Sequence, residues 1–323
     1  MTPFLRGILS GLTATFAALL VSLGTLAVLW PDRLPAPAIS RLVVADEKLR
    51  FLRDNPDIDP EILAVGSSIA WRQLDGDAIE RDGLDFLNGG MVHMKTHHTR
   101  EVTALYLEWY RNVRKVLVMV SLPDLENCTD AAELFDAEDA TRYAFKGWPA
   151  AYFYLRYFDL KRYVRTAVSL PDQRTPYTGE YYLDEYGSGP VQVPHDVERG
   201  LRYGEIHPDP ACTDALIQLA RVATERGTRV AIVFPPVHPD YRRLYPGALG
   251  TIAGIADTVR AAVPEGTRVS VLFDDDSYTS SDFWDAFHLQ WSAVKRLSRS
   301  IGELLDSLPN DAVAGTPRRA ASL

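Results

Sequence analysis

The sequence predicts an α/β protein in which a parallel sheet lies between two layers of helices. Short β-branched runs alternate with helical patterns along most of the chain, which is typical of parallel sheets covered on both faces. Hydrophobic residues make up 46% of the 323 residues, enough to fill a buried core. An uncharged apolar run at the start and an aromatic-rich stretch in the middle depart from this pattern.

Residues 1–34 are predicted to form an N-terminal transmembrane helix that anchors the chain. Residues 7–30 carry no charge, and a helix of that length reaches ~36 Å, enough to cross a hydrocarbon layer ~30 Å thick. A cleaved signal peptide and a buried core helix are the alternatives. Arg6 before the run, with Asp32 and Arg33 after it, favours a cytoplasmic N-terminus. We therefore expect a single-pass protein of the cell membrane with an extracytoplasmic ectodomain.

Three regions are predicted after the anchor. Residues 35–58 are expected to form a juxtamembrane stalk, residues 59–308 the main α/β domain, and residues 309–323 a flexible polar tail. Strands are predicted at residues 62–65, 84–87, 116–121, 229–234 and 268–273. Helices are predicted at residues 39–53, 98–111, 210–226, 249–263 and 289–308.

An insertion at residues 129–210 interrupts the main domain. It holds 15 of the 33 aromatic residues, and it is much longer than the usual loops of compact α/β proteins. Carbohydrate-binding surfaces favour aromatic faces, so the insertion could be a glycan platform. The same residues could instead pack as the core of a small subdomain.

Cysteine content and charge limit the possible partners. Cys128 and Cys212 match neither a disulfide-rich framework nor a cysteine zinc site. Outside the cytoplasm they could pair, and otherwise they would be two separate thiols. The net charge of −9 and the lack of a basic stripe argue against a nucleic-acid partner.

The first candidate site follows the first predicted strand, which runs directly into Gly66-Ser67-Ser68. Ligands of open parallel sheets bind outside the carboxyl ends of the strands, where this turn would lie. Ser68 is a candidate nucleophile, with Gly66 and Ser67 as oxyanion- or substrate-binding neighbours. The alternative is that the serine only caps the next helix. No Gly-x-Ser-x-Gly motif accompanies it, so the usual α/β-hydrolase signature is absent.

A serine nucleophile needs a base, and Asp285 and His288 can supply one. They follow the last predicted strand and precede the last helix, which places them at the same sheet edge as Ser68. An aspartate that holds Nδ1 of the histidine leaves Nε2 free to take the serine proton. The predicted catalytic residues are therefore Ser68, His288 and Asp285.

A third strand end carries Asn88, Gly89 and Gly90. Glycine amides at a tight turn could complete an oxyanion hole beside the serine. The alternative is an ordinary strand–helix turn, which Asn-Gly-Gly also suits.

The order Gly-Ser-Ser, Asn-Gly-Gly, Asp-x-x-His resembles the SGNH (GDSL-like) hydrolase superfamily over about residues 60–128 and 209–306. Gly66-Ser67-Ser68 is similar to the first block of membrane-anchored members involved in polysaccharide O-acetylation and teichoic-acid D-alanine transfer. Residues 233–236 (Val-Phe-Pro-Pro) and 285–289 (Asp-x-x-His-Leu) are similar to that group as well. The resemblance implies a flavodoxin-like, SGNH-hydrolase-like sheet.

The function implied by this resemblance is a serine esterase or O-acyltransferase, most simply for acetyl groups, on a cell-surface or exported polysaccharide. It implies no cofactor and no metal, and a membrane acyltransferase as a possible partner. The alternative is a non-catalytic scaffold on the same fold that binds a glycan or a protein.

The chain departs from the family pattern in two blocks. His93 stands near the place of a second-block glycine, and residues 121–124 (Ser-Leu-Pro-Asp) replace Gly-x-Asn-Asp. The asparagine that donates to the oxyanion is therefore missing from its expected place, with Asn88 and Asn127 as candidate substitutes. His93, His97 and His98 form the densest histidine group, which is expected to line the mouth of the site more readily than to bind a metal.

Overall fold

The computed structural model describes residues 2–29, 33–80, 85–129, 132–193, 203–272 and 277–309. Within these ranges the strands are Ile62–Gly66 (β1), Phe86–Asn88 (β2), Lys115–Met119 (β3), Arg229–Phe234 (β4) and Thr267–Val271 (β5). The helices are Pro3–Leu29 (α1), Val43–Asp54 (α2), Ser68–Arg72 (α3), Gly76–Ile79 (α4), Thr96–Trp109 (α5), Ala137–Ala144 (α6), Ala150–Arg156 (α7), Leu160–Gln173 (α8), Pro210–Glu225 (α9), Pro239–Leu244 (α10), Ala248–Ala262 (α11) and Trp291–Asp306 (α12). Short 3₁₀ turns occur at Leu122–Leu125 and Ser280–Asp282.

The strands form one parallel sheet in the order β2-β1-β3-β4-β5. This is the strand order of doubly wound flavodoxin-like folds. Every residue of β1 and β3 is buried, as expected when helices cover both faces of a parallel sheet. The α/β class and the five-stranded parallel sheet predicted from the sequence are confirmed.

Helices cover the two faces of the sheet in two groups. The chain moves one way from β1 to β2 and the opposite way from β2 to β3, β4 and β5. Because such crossovers are right-handed, α3 and α4 lie on one face, and α5, α9 and α11 lie on the other. Helix α12 packs against α4, while α9 packs against both α5 and α11. The reversal of direction lies between β1 and β3, where doubly wound sheets bind their ligands.

Most predicted elements end within three residues of the observed ones, and β4 agrees at both ends. Helix α12 begins at Trp291 and not at residue 289, because Leu289 forms an antiparallel bridge with Phe283 before the helix starts. Residue 84 of the second predicted strand, residue 273 of the fifth and residues 310–323 of the predicted tail lie outside the described residues.

The N-terminal region forms a helix, α1, but the predicted transmembrane helix is not supported. In the part of the chain that the structure describes, no helix has both the length and the apolar character needed to cross a bilayer. Hydroxyl and glycine positions interrupt the apolar residues of α1, and Thr13 and Thr15 donate hydrogen bonds to helix carbonyl oxygens.

Residues 35–58 do not form a separate stalk. Helix α2 occurs where its apolar spacing predicted a helix, but Ala45, Leu49 and Leu52 on it are fully buried in the main core. Ile39, which precedes the helix, belongs to the same core. The apolar face of α2 is thus covered by the α/β domain.

The charged residues of α2 contact the insertion. Asp46 forms an ion pair with Arg162, and the carboxylate of Glu47 lies 2.8 Å from the guanidinium of Arg174. Both carboxylates are buried, and a buried charge that loses its partner is strongly destabilising. The insertion and α2 therefore hold each other in place.

Lys48 of α2 is buried and bridges two loops. Its ammonium donates to the carbonyl oxygen of Asn88 at 2.7 Å and to that of Gly187. Burial lowers the pKa of Lys48 to about 7, although the charge of Asp184 raises it. Burial also raises the pKa of Asp184 to about 7.

One cluster of aromatic residues in the insertion packs as core. Phe153 and Tyr143 are buried in edge-to-face contact, with ring centroids 5.2 Å apart. Phe145 stacks on Trp109 of α5 with centroids 3.8 Å apart. These contacts favour the subdomain-core interpretation of this cluster.

A disulfide joins Cys128 to Cys212, which are 84 positions apart in sequence and have Cα atoms 5.2 Å apart. The bond closes the chain at the base of the insertion, because Cys128 directly precedes residue 129 and Cys212 lies on the first turn of α9. The hydroxyl of Thr96 lies 3.4 Å from the Cys128 sulfur and donates to the carbonyl of Cys212.

Candidate active site

A cavity of about 320 Å³ lies at the carboxyl edge of the sheet. The chain segments that follow β1, β2, β3 and β5 all contribute to its walls, and the insertion adds one side. Its lining residues are Val44, Ser67, Ser68, Trp71, Arg72, Val92, His93, Met94, Lys95, Pro123, Asp124, Glu180, Tyr203, Trp284, Asp285 and His288.

Ser68 reaches the cavity because the chain turns sharply after β1. Gly66 ends the strand with φ 145°, a conformation that disfavours side chains, and a Cβ there would lie 2.4 Å from the Met119 carbonyl oxygen. Ser67 then caps α3, because its hydroxyl accepts the amide of Ile69 at 3.3 Å. Ser67 is therefore the cap, and Ser68 is the first residue of the helix.

The structure brings Ser68, His288 and Asp285 into one hydrogen-bonded chain. The Oγ of Ser68 lies 2.9 Å from Nε2 of His288, and Nδ1 of His288 lies 2.9 and 2.8 Å from the two Asp285 oxygens. An ionised carboxylate only accepts, so Nδ1 carries the proton and donates it to Asp285. In the neutral imidazole Nε2 then accepts the hydroxyl proton of Ser68.

The environment of Asp285 keeps its carboxylate ionised. Burial alone would raise its pKa, but the charge of His288 and hydrogen bonds from His288 and Phe287 lower it below the ordinary value. The amides of Phe287 and His288 each donate to one carboxylate oxygen at 2.8 Å. The Tyr203 hydroxyl donates to the other at 3.3 Å. Asp285 is thus fixed as a permanent acceptor for Nδ1.

The predicted oxyanion residues Asn88, Gly89 and Gly90 do not line the cavity. Their polar groups are used inside the fold: the Gly89 amide donates to the Ala64 carbonyl at 2.8 Å, and the Gly90 amide donates to the Asn88 side chain at 2.9 Å. The Asn88 amide group donates to the carbonyl of Ala70 at 2.8 Å. The alternative interpretation of Asn-Gly-Gly as a turn fits the structure. Asn127 is not a lining residue either.

The next residues along the chain form the wall instead. His93 is exposed at the cavity with φ 58°, the left-handed conformation that glycine usually occupies. This explains why a glycine would suit the position. His97 and His98 are not lining residues; their rings lie in tilted contact with centroids 3.7 Å apart, and burial lowers the pKa of His97 to about 4.

Asp124, in the segment after β3, is one of the residues that line the cavity. Its carboxylate accepts both the amide and the hydroxyl of Ser121 at 2.8 Å. Burial raises its pKa, although hydrogen bonds from Ser67 and Ser121 lower it. Asp124 thus supports Ser67, the helix cap next to Ser68.

The lining residues that sequence reasoning missed include Arg72, Tyr203, Trp71 and Trp284. Arg72 follows Ser68 by four residues in α3, a helical spacing that could have identified it. Trp284 packs over His288, with ring centroids 4.9 Å apart, and it directly precedes the predicted Asp285. Tyr203 lies in the insertion, 82 residues from Asp285, and nothing local in the sequence marks it.

Among the described residues, no group of three or more His, Cys, Asp or Glu side chains is placed to hold a metal ion. The chemistry that the cavity offers is that of its serine, imidazole and carboxylate. This arrangement can generate an alkoxide-like nucleophile and return a proton to a leaving group.

No family model matches this chain, and no curated protein matches it. Among solved structures, it is similar to a carbohydrate acetylesterase of Sinorhizobium meliloti, with 12% identity, a TM-score of 0.40 and coverage of 77% of this chain and 99% of the other. It is also similar to a protein described as a platelet activating factor from Streptococcus pneumonia, with 12% identity, a TM-score of 0.41 and coverage of 81% and 92%. Both likenesses are too distant to assign a family, an activity or a substrate.

Proposed function

We propose that this protein is a serine esterase or O-acyltransferase that acts on short acyl esters, acetyl esters first of all, of a polysaccharide. The observation that carries the proposal is the continuous chain of hydrogen bonds from Ser68 through His288 to Asp285 on the wall of a cavity. A buried aspartate, an oriented imidazole and an accessible serine are the groups that acyl transfer requires.

In the proposed reaction, Ser68 attacks the acyl carbonyl while Nε2 of His288 takes its proton. Asp285 stabilises the imidazolium that forms, without taking the proton itself. His288 then protonates the departing alcohol, which leaves an acyl-serine. Water or a sugar hydroxyl, deprotonated by His288, attacks this ester and regenerates Ser68.

The negative charge that develops on the acyl oxygen needs hydrogen-bond donors. The Ser68 amide opens α3 and makes no hydrogen bond with any described residue, so it is available as one donor. Lys95 and His93 line the same cavity and carry further N–H groups. The family's asparagine donor is thereby replaced by other groups of this cavity.

The test measures hydrolysis of 4-nitrophenyl acetate by the full chain and by Ser68→Ala, His288→Ala and Asp285→Asn. Each substitution should lower kcat/KM by about 10⁴-fold, because each disables the same chain of groups. Ser300→Ala, an exposed serine on α12, is the matched control and should keep full turnover. Retention of turnover by Ser68→Ala would refute the assignment.

The disulfide supports the further proposal that the protein acts outside the cytoplasm, since such bonds persist in oxidising compartments. A polysaccharide substrate and a membrane acyltransferase as donor belong to the same proposal through the family resemblance. Alkylation of thiols in cells, before and after reduction, tests the compartment. Free thiols at Cys128 and Cys212 in untreated cells would contradict it.

A non-catalytic glycan-binding scaffold is the second candidate. It is favoured because the amides of Asn88, Gly89 and Gly90 donate hydrogen bonds within the fold and do not supply an oxyanion hole. Covalent labelling by a fluorophosphonate separates the two, because it requires an activated serine but no natural substrate. Labelling at Ser68 that is abolished by His288→Ala supports the enzyme. Absence of labelling together with glycan binding supports the scaffold.

A further inference from the structure

A buried arginine lines the cavity one helical turn after Ser68. Arg72 is the last residue of α3 and Ser68 the first, so the two side chains lie at i, i+4 on the same face of the helix. Arg72 is only 7% exposed, yet it forms part of the cavity wall. Any group bound by this guanidinium would lie close to an ester attacked by Ser68.

The contacts of Arg72 leave its charge without an anionic partner. Its guanidinium donates to the carbonyl oxygens of Gly189 and Glu180, both at 3.2 Å, and lies over the ring of Trp71 at 4.4 Å. Among the described residues, none of its contacts is an ion pair, and the Glu180 side chain is exposed to solvent. The guanidinium has five N–H donors, so several are still available.

A buried cation of this kind is costly unless an anion approaches it. Burial lowers the pKa of Arg72 to about 10, although the charge of Glu180 raises it, so the group remains cationic at neutral pH. Of the three acidic lining residues, Asp285 is engaged with His288 and Asp124 with Ser121. The side chain of the third, Glu180, acts on Arg72 only through its charge and forms no ion pair with it among the described contacts.

Other donors lie on the same wall. The indole Nε1 of Trp71 is buried and makes no hydrogen bond with the described residues. Lys95 also lines the cavity, and its ammonium donates to the carbonyl of Pro123. Arg72 and Lys95 thus give the cavity lining two cationic side chains, which suits a ligand that carries negative charge.

We propose that Arg72 is a carboxylate-binding residue of the substrate site, and that the preferred esters carry a carboxylate near the scissile bond. A guanidinium matches the two oxygens of a carboxylate in a planar, bidentate arrangement. The carboxylate belongs either to the acyl group or to the alcohol, as in an acidic sugar. The inference rests on the proposed function for the reaction, but the binding can be measured without any turnover.

The experiment measures the binding of two acids and their neutral counterparts to full-length Ser68→Ala by calorimetry. Acetylated glucuronic acid and acetylated glucose test a carboxylate on the alcohol, and monoethyl and diethyl succinate test one on the acyl group. We expect one acid to bind about 10- to 100-fold more tightly than its neutral counterpart. The pair that shows the preference identifies the side that carries the carboxylate.

Variants assign this preference to Arg72. Adding Arg72→Gln should reduce it to less than about 3-fold, while Arg72→Lys, which keeps the charge but not the planar fork, should retain part of it. Arg260→Gln is the matched control, because Arg260 is exposed on α11 and pairs with Asp257. Circular dichroism verifies that each variant is folded. If Arg72→Gln does not fold, the comparison of Arg72→Lys with the parent decides.

The inference would be overturned if the acids and their neutral counterparts bound equally well. It would also be overturned if the preference for an acid survived in the folded Arg72→Gln variant, or were undiminished in Arg72→Lys. Fluorophosphonate labelling separates this result from the proposed function. A labelled Ser68 without acid preference refutes only the role of Arg72. An acid preference without labelling refutes only the serine chemistry.

Discussion

Removal of the disulfide between Cys128 and Cys212 should destabilise the protein strongly while leaving the serine site assembled. The bond closes a loop with a sequence separation of 84 residues. The chain-entropy relation for a loop of this size gives about 15 cal/mol/K, or about 4.5 kcal/mol at 25 °C. This is a large share of the stability of an ordinary domain, which is about 5–15 kcal/mol.

The assay is urea unfolding of the oxidised protein and of the Cys128→Ala/Cys212→Ala double variant, followed by circular dichroism. We expect the free energy of unfolding to fall by about 2–5 kcal/mol, with the entropy relation giving the upper part of that range. Oxidised protein treated with a phosphine reductant should approach the double variant. The unfolding transition measured by tryptophan fluorescence must coincide with the one measured by circular dichroism, because only then is a two-state free energy of unfolding defined.

Ser68, His288 and Asp285 lie outside the closed loop, on segments that the sheet positions. Fluorophosphonate labelling of Ser68 in the folded double variant should therefore proceed at nearly the rate of the oxidised protein. A loss of stability below about 1 kcal/mol would refute the loop-entropy reasoning. Loss of labelling in a folded variant would refute the independence of the serine site from the disulfide.

Three further substitutions test single contacts. Gly66→Ala should lower the free energy of unfolding by about 2–4 kcal/mol, because of its backbone conformation and the Met119 carbonyl; an unchanged urea midpoint would contradict this. His93→Gly should raise the free energy of unfolding by about 1 kcal/mol relative to His93→Ala, because φ is 58°; equal values would show that no strain is stored there. Lys48, with its pKa lowered to about 7 from 10.5, binds fewer protons folded than unfolded, so its contribution to stability rises as the pH rises through that interval. Lys48→Met should remove this rise from a urea series between pH 7 and 10, and an identical slope in the variant would argue against it.

The sequence was most informative where one physical rule governed many residues. Strand β1 and the Asp285-x-x-His288 segment could be placed at one sheet edge, because all parallel strands end there in the same direction. That rule brought Ser68 and His288 together across 220 positions. It says nothing about which way a loop amide points, and the prediction for Asn88, Gly89 and Gly90 failed at that point.

No comparable rule predicts contacts between loops that are distant in sequence. Tyr203 reaches Asp285 only through the fold of the insertion, and the pairing of Cys128 with Cys212 depends on the same fold. The burial of α2 was missed for a related reason. The helix was assigned to a juxtamembrane stalk, and the partners of Asp46 and Glu47, Arg162 and Arg174, lie more than 100 positions away.

The contacts that Asp46, Glu47 and Lys48 of α2 make with the insertion can form only after the insertion has been synthesised. Residues 43–54 are made early, but the partner of Lys48 at Gly187 follows 139 residues later. At ~5–20 residues per second, this interval lasts roughly 7 to 28 seconds on the ribosome. Throughout it, Leu49 and Leu52 have no completed sheet to cover them, so the nascent helix is a segment that a chaperone would recognise.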